Sequence, residues 1–411
     1  MSPNTHRVLV YTGGYRPDYP ARDIQLVQEL RERGNEVTYT IGGPGISDIP
    51  HPKEVASDPR FASVQAHWVN NVFEMVKLLT STDVFVVGVW AKTNQRLVTL
   101  AKSMGVVTLQ HDNVPRIDVR YTGADWICES SLFVAEERKR RAHAQERKIV
   151  VTGSTMIDLV RSQEVEAITK ASFCEKYRLD PSKKIAVWMP SAPQVQNGWH
   201  QASYTQICEI IQKSAGHSLI IKAHPNDYLK RKSPSFFQGK HTWQVLAPTA
   251  VVLEPEDAYQ CYKVCDVGIS NSSSVSLEFP LFSKPFVYVD IDKSPVLAMH
   301  RPSWWWGDLP SPSFIGMITS ADELSAVLDE SQYEISDDAA YQAHVAKYFY
   351  QADGLAYQRI ADVIERAVEE SHTSSVAVRL IRGSSWMARQ RMASFGHYLV
   401  NPRRAMARFR R

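Results

Sequence analysis

Residues 265–279 read Cys-Asp-Val-Gly-Ile-Ser-Asn-Ser-Ser-Ser-Val-Ser-Leu-Glu-Phe, and they carry the clearest signal of the fold class. The apolar first half predicts a buried strand, the serines predict a turn, and the last residues predict the start of a helix. A helix start has unpaired backbone N–H groups and a partial positive charge, so a phosphate bound there would gain hydrogen bonds. The stretch therefore predicts an anion site, although an ordinary serine-capped helix has the same pattern.

Short apolar strands alternate with amphipathic helices along most of the chain, in two sets separated by a connector near 153–183. The predicted strands are 7–12, 36–41, 84–90, 106–110, 126–129 and 149–152 in the first set, and 185–189, 218–222, 243–246, 266–270 and 286–290 in the second. This alternation is typical of parallel βαβ units. We therefore expect an α/β chain of two facing doubly wound, Rossmann-like domains with a cationic helical tail.

The same pattern gives a division of the chain into four parts. We expect an N-terminal Rossmann-like domain at 1–160 and a C-terminal Rossmann-like domain at 161–336. Helices at 337–370 would close the body by returning toward the first domain, and 371–411 would form a basic amphipathic tail.

Composition excludes several classes of protein. The chain has 411 residues, of which 44% are hydrophobic and 22% charged, which is enough for a large core and two domains. It has neither an apolar run of membrane-spanning length nor an apolar secretory core at its start, so we expect a cytoplasmic location. Its five cysteines are scattered and have no zinc-like spacing. We expect reduced core thiols and no metal site.

Charge is concentrated at the C-terminus. Residues 371–411 hold nine arginines and no acidic residue, whereas the rest of the chain has 38 basic and 44 acidic residues. Apolar residues such as Trp386 and Phe395 interleave with the arginines, a mixture suited to the surface of an anionic membrane. We expect peripheral attachment to the inner face of the cell membrane and no nucleic-acid partner. Nucleic-acid binding is the competing use of such a tail, and a solvated tail is the other alternative.

Polar loops follow several predicted strands, and these loops meet at one edge of a parallel sheet. Thr12, Gly13, Gly14 and Arg16 follow the first strand and so lie at this edge. The two glycines do not belong to a G-x-G-x-x-G fingerprint, and no Walker A motif occurs, so we expect no nicotinamide or other cofactor.

Two histidines leave predicted strands. His111, followed by Asp112, ends a strand of the first domain, where an imidazole could take a proton from an attacking hydroxyl. His224 lies beside Lys222 in the second domain, and together they could neutralise a diphosphate. A structural hydrogen bond is the alternative role for each histidine.

Short motifs follow one another in a fixed order between about residues 106 and 368. They are Leu109-Gln110-His111-Asp112, Lys148–Gly153 ending in Val-Thr-Gly, Lys222-Ala223-His224-Pro225, Asp266–Val275, and Gln351-Ala352-Asp353-Gly354 with Arg359-Ile360. This order resembles the CDP-glycerol glycerophosphotransferase family, the transferases that prime or extend teichoic-acid-like polymers on a glycosyltransferase-B fold. The first hundred residues show no clear family pattern.

The resemblance implies roles for individual residues. His111 would be the base, with His224 as a second catalytic residue. The domain at 1–160 would bind the acceptor and the domain at 161–336 the nucleotide donor. The acceptor side would be shaped by Thr12, Gly13, Gly14, Arg16 and Asp112. Ser273 and Ser274 would hold the leaving phosphate, while Lys222 and His224 balance its charge. The complete expected donor set is Lys222, Ser270, Asn271, Ser272, Ser273, Ser274, Glu278 and Arg301, of which Arg301 begins a tryptophan-rich stretch similar to one in the family.

Departures from the family pattern leave the donor open. Asn271 and Glu278 replace acidic positions of the family, and Asp112 replaces its glycine. Residues 151–158 and 273–278 also resemble UDP-GlcNAc 2-epimerases, in which a glutamate comparable to Glu278 holds the nucleotide ribose. We expect metal-independent transfer from a CDP- or UDP-linked donor to a polymer or lipid-linked hydroxyl. An epimerase-like enzyme and a non-catalytic nucleotide-sugar-binding module are the alternatives.

Overall fold

The protein contains two parallel β-sheets with helices packed around them. The computed structural model describes residues 5–12, 22–41, 59–69, 71–88, 92–111, 123–142, 148–190, 201–214, 216–223, 243, 247–254, 257–271, 275–289, 315–329, 338–371, 378–379 and 381–385. All strand pairs in both sheets are parallel within this part of the chain. The expected α/β class is confirmed.

The first sheet has seven strands in the order β3-β2-β1-β4-β5-β6-β7. They are β1 (Arg7–Thr12), β2 (Glu36–Ile41), β3 (His67–Trp68), β4 (Val84–Val87), β5 (Val107–His111), β6 (Trp126–Glu129) and β7 (Lys148–Val151). The strand order reverses between β1 and β4, which is where ligands bind in open α/β sheets. Thr12 therefore ends a strand at this point, and His111 ends a strand one place further along.

The second sheet has six strands in the order β10-β9-β8-β11-β12-β13. They are β8 (Lys184–Met189), β9 (His217–Ile221), β10 (Val251–Val252), β11 (Val267–Ser270), β12 (Phe286–Val289) and β13 (Ile315–Ile318). Here the order reverses between β8 and β11. The serine-rich stretch starts where β11 ends, so it leaves the sheet at the second reversal point.

Helices connect the strands and cover the sheets. In the first half they are α1 (Ile24–Glu32), α2 (Val72–Thr80), α3 (Lys92–Met104), α4 (Leu132–Ala142), α5 (Thr155–Val160), α6 (Gln163–Ala167) and α7 (Lys170–Tyr177). In the second half they are α8 (Gln201–Lys213), α9 (Ala258–Val264), α10 (Val275–Glu278), α11 (Ala321–Asp329), α12 (Asp338–Tyr348) and α13 (Ala356–Glu369). Within the described residues, 3-10 helices lie at Pro59–Val64 and Phe279–Phe282.

The packing around β11 explains the residue types found in the stretch 265–279. All four residues of β11 are buried because the sheet is covered on both faces, which favours a continuous apolar run. A Cβ atom on Gly268 would lie 2.6 Å from Cζ of Phe279. Only glycine therefore lets this ring pack against the strand, and the contact fixes the residues after the serine turn against the sheet.

The last long helix, α13, packs on the first sheet. Its buried face, which includes Ile360 and Ile364, joins the core formed by β1, β2, β4 and β5. The Asp158 carboxylate accepts hydrogen bonds from the N–H groups of Ala356 and Tyr357 at 2.9 and 2.8 Å. These bonds pair the free N–H groups at the start of α13 with a residue far away in the sequence.

The Val-Thr-Gly motif and the Asp-Gly…Arg motif meet at the same place. The Arg359 side chain donates to the Thr152 carbonyl at 2.6 Å and pairs with Asp353 at 2.9 Å. Gly153 has a φ of +89°, and a Cβ there would lie 3.0 Å from the carbonyl of Tyr350. These two motifs therefore hold α13 against the first sheet.

The structure differs from the predicted elements in several places. A strand was expected at 243–246, but Trp243 is helical and residues 244–246 lie outside the described ranges; the strand beside β9 is β10. The connector near 153–183 contains the three short helices α5, α6 and α7. Strands β3 and β10 have two residues each, too few to show a period in the sequence.

The start of the tail packs on the first domain. Residues 378–379 and 381–385 are helical, and Arg379 is buried, donating to the Thr82 carbonyl and pairing with Asp83 at 3.3 Å. One of the nine tail arginines therefore serves the folded body. Across the described ranges, no helix combines the length and apolarity needed to cross a membrane.

Candidate active site

A buried histidine–aspartate pair lies at the carboxyl edge of the first sheet. His111 ends β5, and its Nε2 is 3.3 Å from Oδ1 of Asp23, the residue that precedes α1. Both side chains are 0% exposed. The separation is within ion-pair range but lacks hydrogen-bond geometry, and such contacts often tighten only when substrate binds.

A threonine and a tyrosine hold the aspartate. The Thr12 hydroxyl contacts Oδ2 of Asp23 and lies 3.1 Å from the Tyr39 hydroxyl. Burial raises the pKa of Tyr39 well above its ordinary value, and the nearby charge of Asp23 adds to this effect. Thr12, which we expected on the acceptor side, is 3% exposed, and its hydroxyl is engaged in this network.

The residue next to Asp23 reaches into the second domain. Arg22 donates to the Tyr259 hydroxyl at 3.1 Å, and its guanidinium lies 4.0 Å from the carboxylate of Glu278. Glu278 is the last residue of α10, the helix that follows the serine-rich turn. Arg22 and Asp23 therefore connect the expected base with the expected ribose ligand through two adjacent residues.

Three of the residues expected to bind the nucleotide donor lie at the edge of the second sheet. Ser270 is fully buried and donates to the Met189 carbonyl at 2.6 Å. Because a hydroxyl has one proton, Ser270 cross-links β11 to β8 and cannot also donate to a phosphate. Asn271 donates from its amide to the Tyr204 hydroxyl at 3.0 Å. The backbone of Lys222 bonds to Trp188, and its side chain is half-buried.

Several expected site residues fall outside the described ranges. They are Gly13, Gly14, Arg16, Asp112, His224, Ser272, Ser273, Ser274 and Arg301. Their roles stay predictions. Among the residues that are described, no group of three or more His, Cys, Asp or Glu side chains is arranged to hold a metal ion.

Four contributing residues were missed in the sequence: Arg22, Asp23, Tyr39 and Tyr204. An acidic residue directly before the first helix, at a strand reversal point, was an available signal for Asp23. No sequence signal marked Arg22, Tyr39 or Tyr204, since each becomes relevant only through a partner distant in the chain.

The arrangement supplies the parts of a proton-transfer site. A histidine backed by a carboxylate can accept a proton, because the carboxylate stabilises the imidazolium that forms. On the second sheet, Glu278 and Asn271 offer an acceptor and an amide near the serine-rich turn. The contact between Arg22 and Glu278 links these residues of the second sheet to the histidine–aspartate pair of the first.

Solved structures similar to this chain include a teichoic acid polymerase and UDP-GlcNAc 2-epimerases. The wall teichoic acid polymerase TagF aligns with a TM-score of 0.60 at 15% identity, covering 90% of this chain and 90% of that chain. A putative UDP-N-acetylglucosamine 2-epimerase from Listeria monocytogenes aligns with a TM-score of 0.59 at 14% identity, covering 90% of this chain and 99% of its own. The UDP-GlcNAc 2-epimerase of Neisseria meningitidis, bound to UDP-GlcNAc, gives 0.55 at 15% identity, with 88% and 100% covered.

These alignments confirm the glycosyltransferase-B type of fold. A search of curated proteins found no match. The family model of CDP-glycerol:poly(glycerophosphate) glycerophosphotransferases matches residues 56–366, a span that includes the His111 strand, the Val-Thr-Gly motif, the serine-rich stretch and most of α13. The chain therefore belongs to the CDP-glycerol:poly(glycerophosphate) glycerophosphotransferase family.

Proposed function

We propose that the protein transfers a glycerophosphate unit, or a related polyol-phosphate or glycosyl unit, from a nucleotide-activated donor to a hydroxyl group. The donor resembles CDP-glycerol, and the acceptor is a cell-surface polymer or a lipid-linked molecule. Family membership supports the reaction class. The observation that carries the proposal is the Arg22–Asp23 pair, which contacts His111 on one side and Glu278 on the other.

In the proposed step, His111 takes the proton of the acceptor hydroxyl. The hydroxyl oxygen then attacks the distal phosphorus of the donor, and the bond from that phosphorus to the nucleotide oxygen breaks. The nucleotide leaves with the electron pair as CMP if the donor is CDP-glycerol. If the donor is a nucleotide sugar, the attack occurs at the anomeric carbon and a nucleoside diphosphate leaves.

The second domain supplies the proposed donor contacts. Ser273, Ser274 and the start of α10 hold the leaving phosphate, because unpaired N–H groups and hydroxyls donate to it. Lys222 and His224 balance its charge, and Glu278 accepts the ribose hydroxyls. The proposed step needs no metal ion or cofactor.

We also propose how the chain is divided. Residues 1–160 form the acceptor domain, 161–336 the donor domain, and 337–370 the closing helices. Residues 371–411 bind the anionic inner face of the cell membrane, which brings a lipid-linked acceptor to the site. This assigns the protein to the cytoplasmic side of the membrane.

An epimerase-like reaction on a UDP-sugar is the second candidate. It is supported by the shared fold with the Listeria and Neisseria enzymes. The two candidates differ in product, since transfer releases nucleotide and consumes an acceptor hydroxyl, whereas epimerisation at C2 leaves a nucleotide sugar isomer. A non-catalytic binding module would give neither product.

The deciding experiment combines binding and product analysis on the full chain. Thermal shifts are measured with CDP-glycerol, CDP-ribitol, UDP-GlcNAc, CMP-sugars and free nucleotides. A ligand at 100 times its Kd adds about 2.7 kcal/mol of stability. Stabilising donors are then incubated with a lipid-linked glycerophosphate acceptor, and released nucleotide is quantified. Stabilisation by UDP-GlcNAc alone, with isomerisation and no acceptor-dependent release, would replace the transferase proposal by the epimerase one.

A further inference from the structure

We propose that Asp23 is a positioning residue for His111: its carboxylate fixes the Nε2–H of the imidazole and leaves Nδ1 to take the acceptor proton. The inference rests on the proposed function, in which His111 is the base. Asp23 lies outside the stretch matched by the family model, which begins at residue 56.

The geometry directs one carboxylate oxygen at the ring. Oδ2 of Asp23 is occupied by the Thr12 hydroxyl, whereas Oδ1 has no hydrogen-bond partner in the described part of the chain and faces Nε2 of His111 at 3.3 Å. A buried acceptor without a partner is unfavourable. The Nε2–H of the imidazole is the donor that would satisfy it.

Burial makes this contact effective. Both side chains are fully buried, so water does not screen the attraction between the carboxylate and a protonated ring. When His111 accepts a proton on Nδ1, the positive charge forms beside a carboxylate that is already in place. No group has to reorganise at that moment.

Neighbouring titratable groups do not compete for this role. Within the described ranges, Asp23 is the one charged side chain at ion-pair distance from His111. Tyr39 lies on the other side of Thr12, and burial raises the pKa of Tyr39 and of Tyr11 on the adjacent strand. Both phenols are therefore neutral over the pH range in which an imidazole titrates.

The first test compares Asp23→Asn with wild type in the full chain. The amide keeps the shape of the carboxylate, and its oxygen can still accept from Thr12. Its NH₂ group would then face Nε2 and favour the tautomer that carries the proton on Nδ1. We expect turnover with CDP-glycerol and a lipid-linked acceptor to fall at least 100-fold, with the KM for donor changed less than about threefold.

The second test observes the ring directly by ¹⁵N NMR of labelled histidines. The chain has 13 histidines, and the resonance missing in His111→Ala assigns His111. We expect the Nε2–H tautomer in wild type and the Nδ1–H tautomer in Asp23→Asn.

The outcomes distinguish a failure of the role proposed for Asp23 from a failure of the role proposed for His111. Wild-type turnover in Asp23→Asn with an inactive His111→Ala would overturn the role of Asp23 and leave the proposed base standing. Wild-type turnover in His111→Ala would overturn both. If Asp23→Asn fails to fold, the wild-type spectrum decides, since an Nδ1–H tautomer there would contradict the inference.

Discussion

The guanidinium of Arg22 lies 4.0 Å from the carboxylate of Glu278, and the two side chains are only 4% and 9% exposed. One belongs to the turn before α1 of the first domain, and the other ends α10 of the second. The neighbouring residue Asp23 meets His111. A two-residue turn in the first domain thus contacts both the proposed base and the proposed ribose ligand.

Removal of Arg22 should impair donor binding more than the chemical step. In Arg22→Met, Glu278 loses its cationic neighbour, and Tyr259 loses a donor. We expect the KM for donor to rise about tenfold and stability to fall by about 1–3 kcal/mol. Arg96→Met, at an exposed position on α3, is the matched control. Additive effects of Arg22→Met and Glu278→Gln in a double-mutant cycle would argue against a functional contact.

Replacement of the proposed base should affect turnover and leave donor affinity nearly unchanged. We expect His111→Ala to reduce turnover by about 10²–10⁴-fold, with the donor Kd within a few-fold of wild type. Steady-state kinetics and a thermal-shift titration with donor measure the two quantities. His67→Ala, at an exposed histidine of β3, is the control and should behave as wild type. Near-wild-type turnover in His111→Ala would remove His111 from the mechanism.

The serines of the donor stretch should divide into two classes. Ser270 bonds to the Met189 carbonyl, so Ser270→Ala should cost about 1 kcal/mol of stability without a change in nucleotide affinity. Ser273→Ala combined with Ser274→Ala should weaken nucleoside diphosphate binding far more than nucleoside binding, because only the phosphate loses donors. Equal losses for both ligands would contradict a phosphate clamp.

Asp158 should make stability depend on pH in an unusual direction. Burial raises its pKa to about 6 even though the N–H groups of Ala356 and Tyr357 favour the ionised form. The folded chain therefore binds an additional proton at this site between about pH 4 and 6, and its contribution to stability decreases as pH rises through that window.

The comparison of Asp158→Asn with wild type tests this dependence. The asparagine oxygen can accept a hydrogen bond from only one of the two N–H groups, so the variant should have a lower thermal midpoint. The difference in thermal midpoint between wild type and variant should narrow from pH 4.5 to pH 7. Asp180→Asn is the control with the opposite sign, because hydrogen bonds from Ser182 lower the pKa of the exposed Asp180. A gap for Asp158→Asn that widens with pH would contradict the prediction.

The tail should separate into an anchoring part and a membrane-binding part. Gly383 packs so closely that a Cβ there would lie 3.1 Å from Val76, and Arg379 pairs with Asp83. A chain ending at Ser385 keeps these contacts, whereas a chain ending at Glu370 loses them. We expect the chain ending at Ser385 to keep the thermal midpoint of the full chain. The chain ending at Glu370 should be less stable.

Both truncations should lose binding to anionic vesicles, since each arginine near such a surface contributes about 1 kcal/mol at low salt. The chain ending at Ser385 should keep its activity on a soluble acceptor analogue. The full chain should sediment with anionic vesicles and not with neutral ones. Vesicle binding retained by the Ser385 truncation, or binding of nucleic acid through the tail, would contradict the membrane assignment.

The alternation of apolar strands with amphipathic helices was sufficient to predict the α/β class and most strands of both sheets, and the order of short motifs indicated the family by resemblance. This signal is local, because a strand buried on both faces needs a continuous apolar run such as Val267–Ser270. His111 at a strand end and Glu278 after the serines were likewise visible from spacing. The tertiary structure was needed for elements with little local signal, such as β3, β10 and the helices of the connector.

The partners of the site residues depended on the tertiary structure alone. Ser270 looked like a phosphate ligand, yet its hydroxyl bonds to a neighbouring strand. Thr12 looked like an acceptor contact, yet it holds Asp23. The sequence determined which residues lie at the strand ends, because hydrophobic periodicity depends only on residues that are close together in the sequence. Only the folded chain decided which of them meet, because contacts such as Arg22–Glu278 join residues brought together by the packing of two separate sheets.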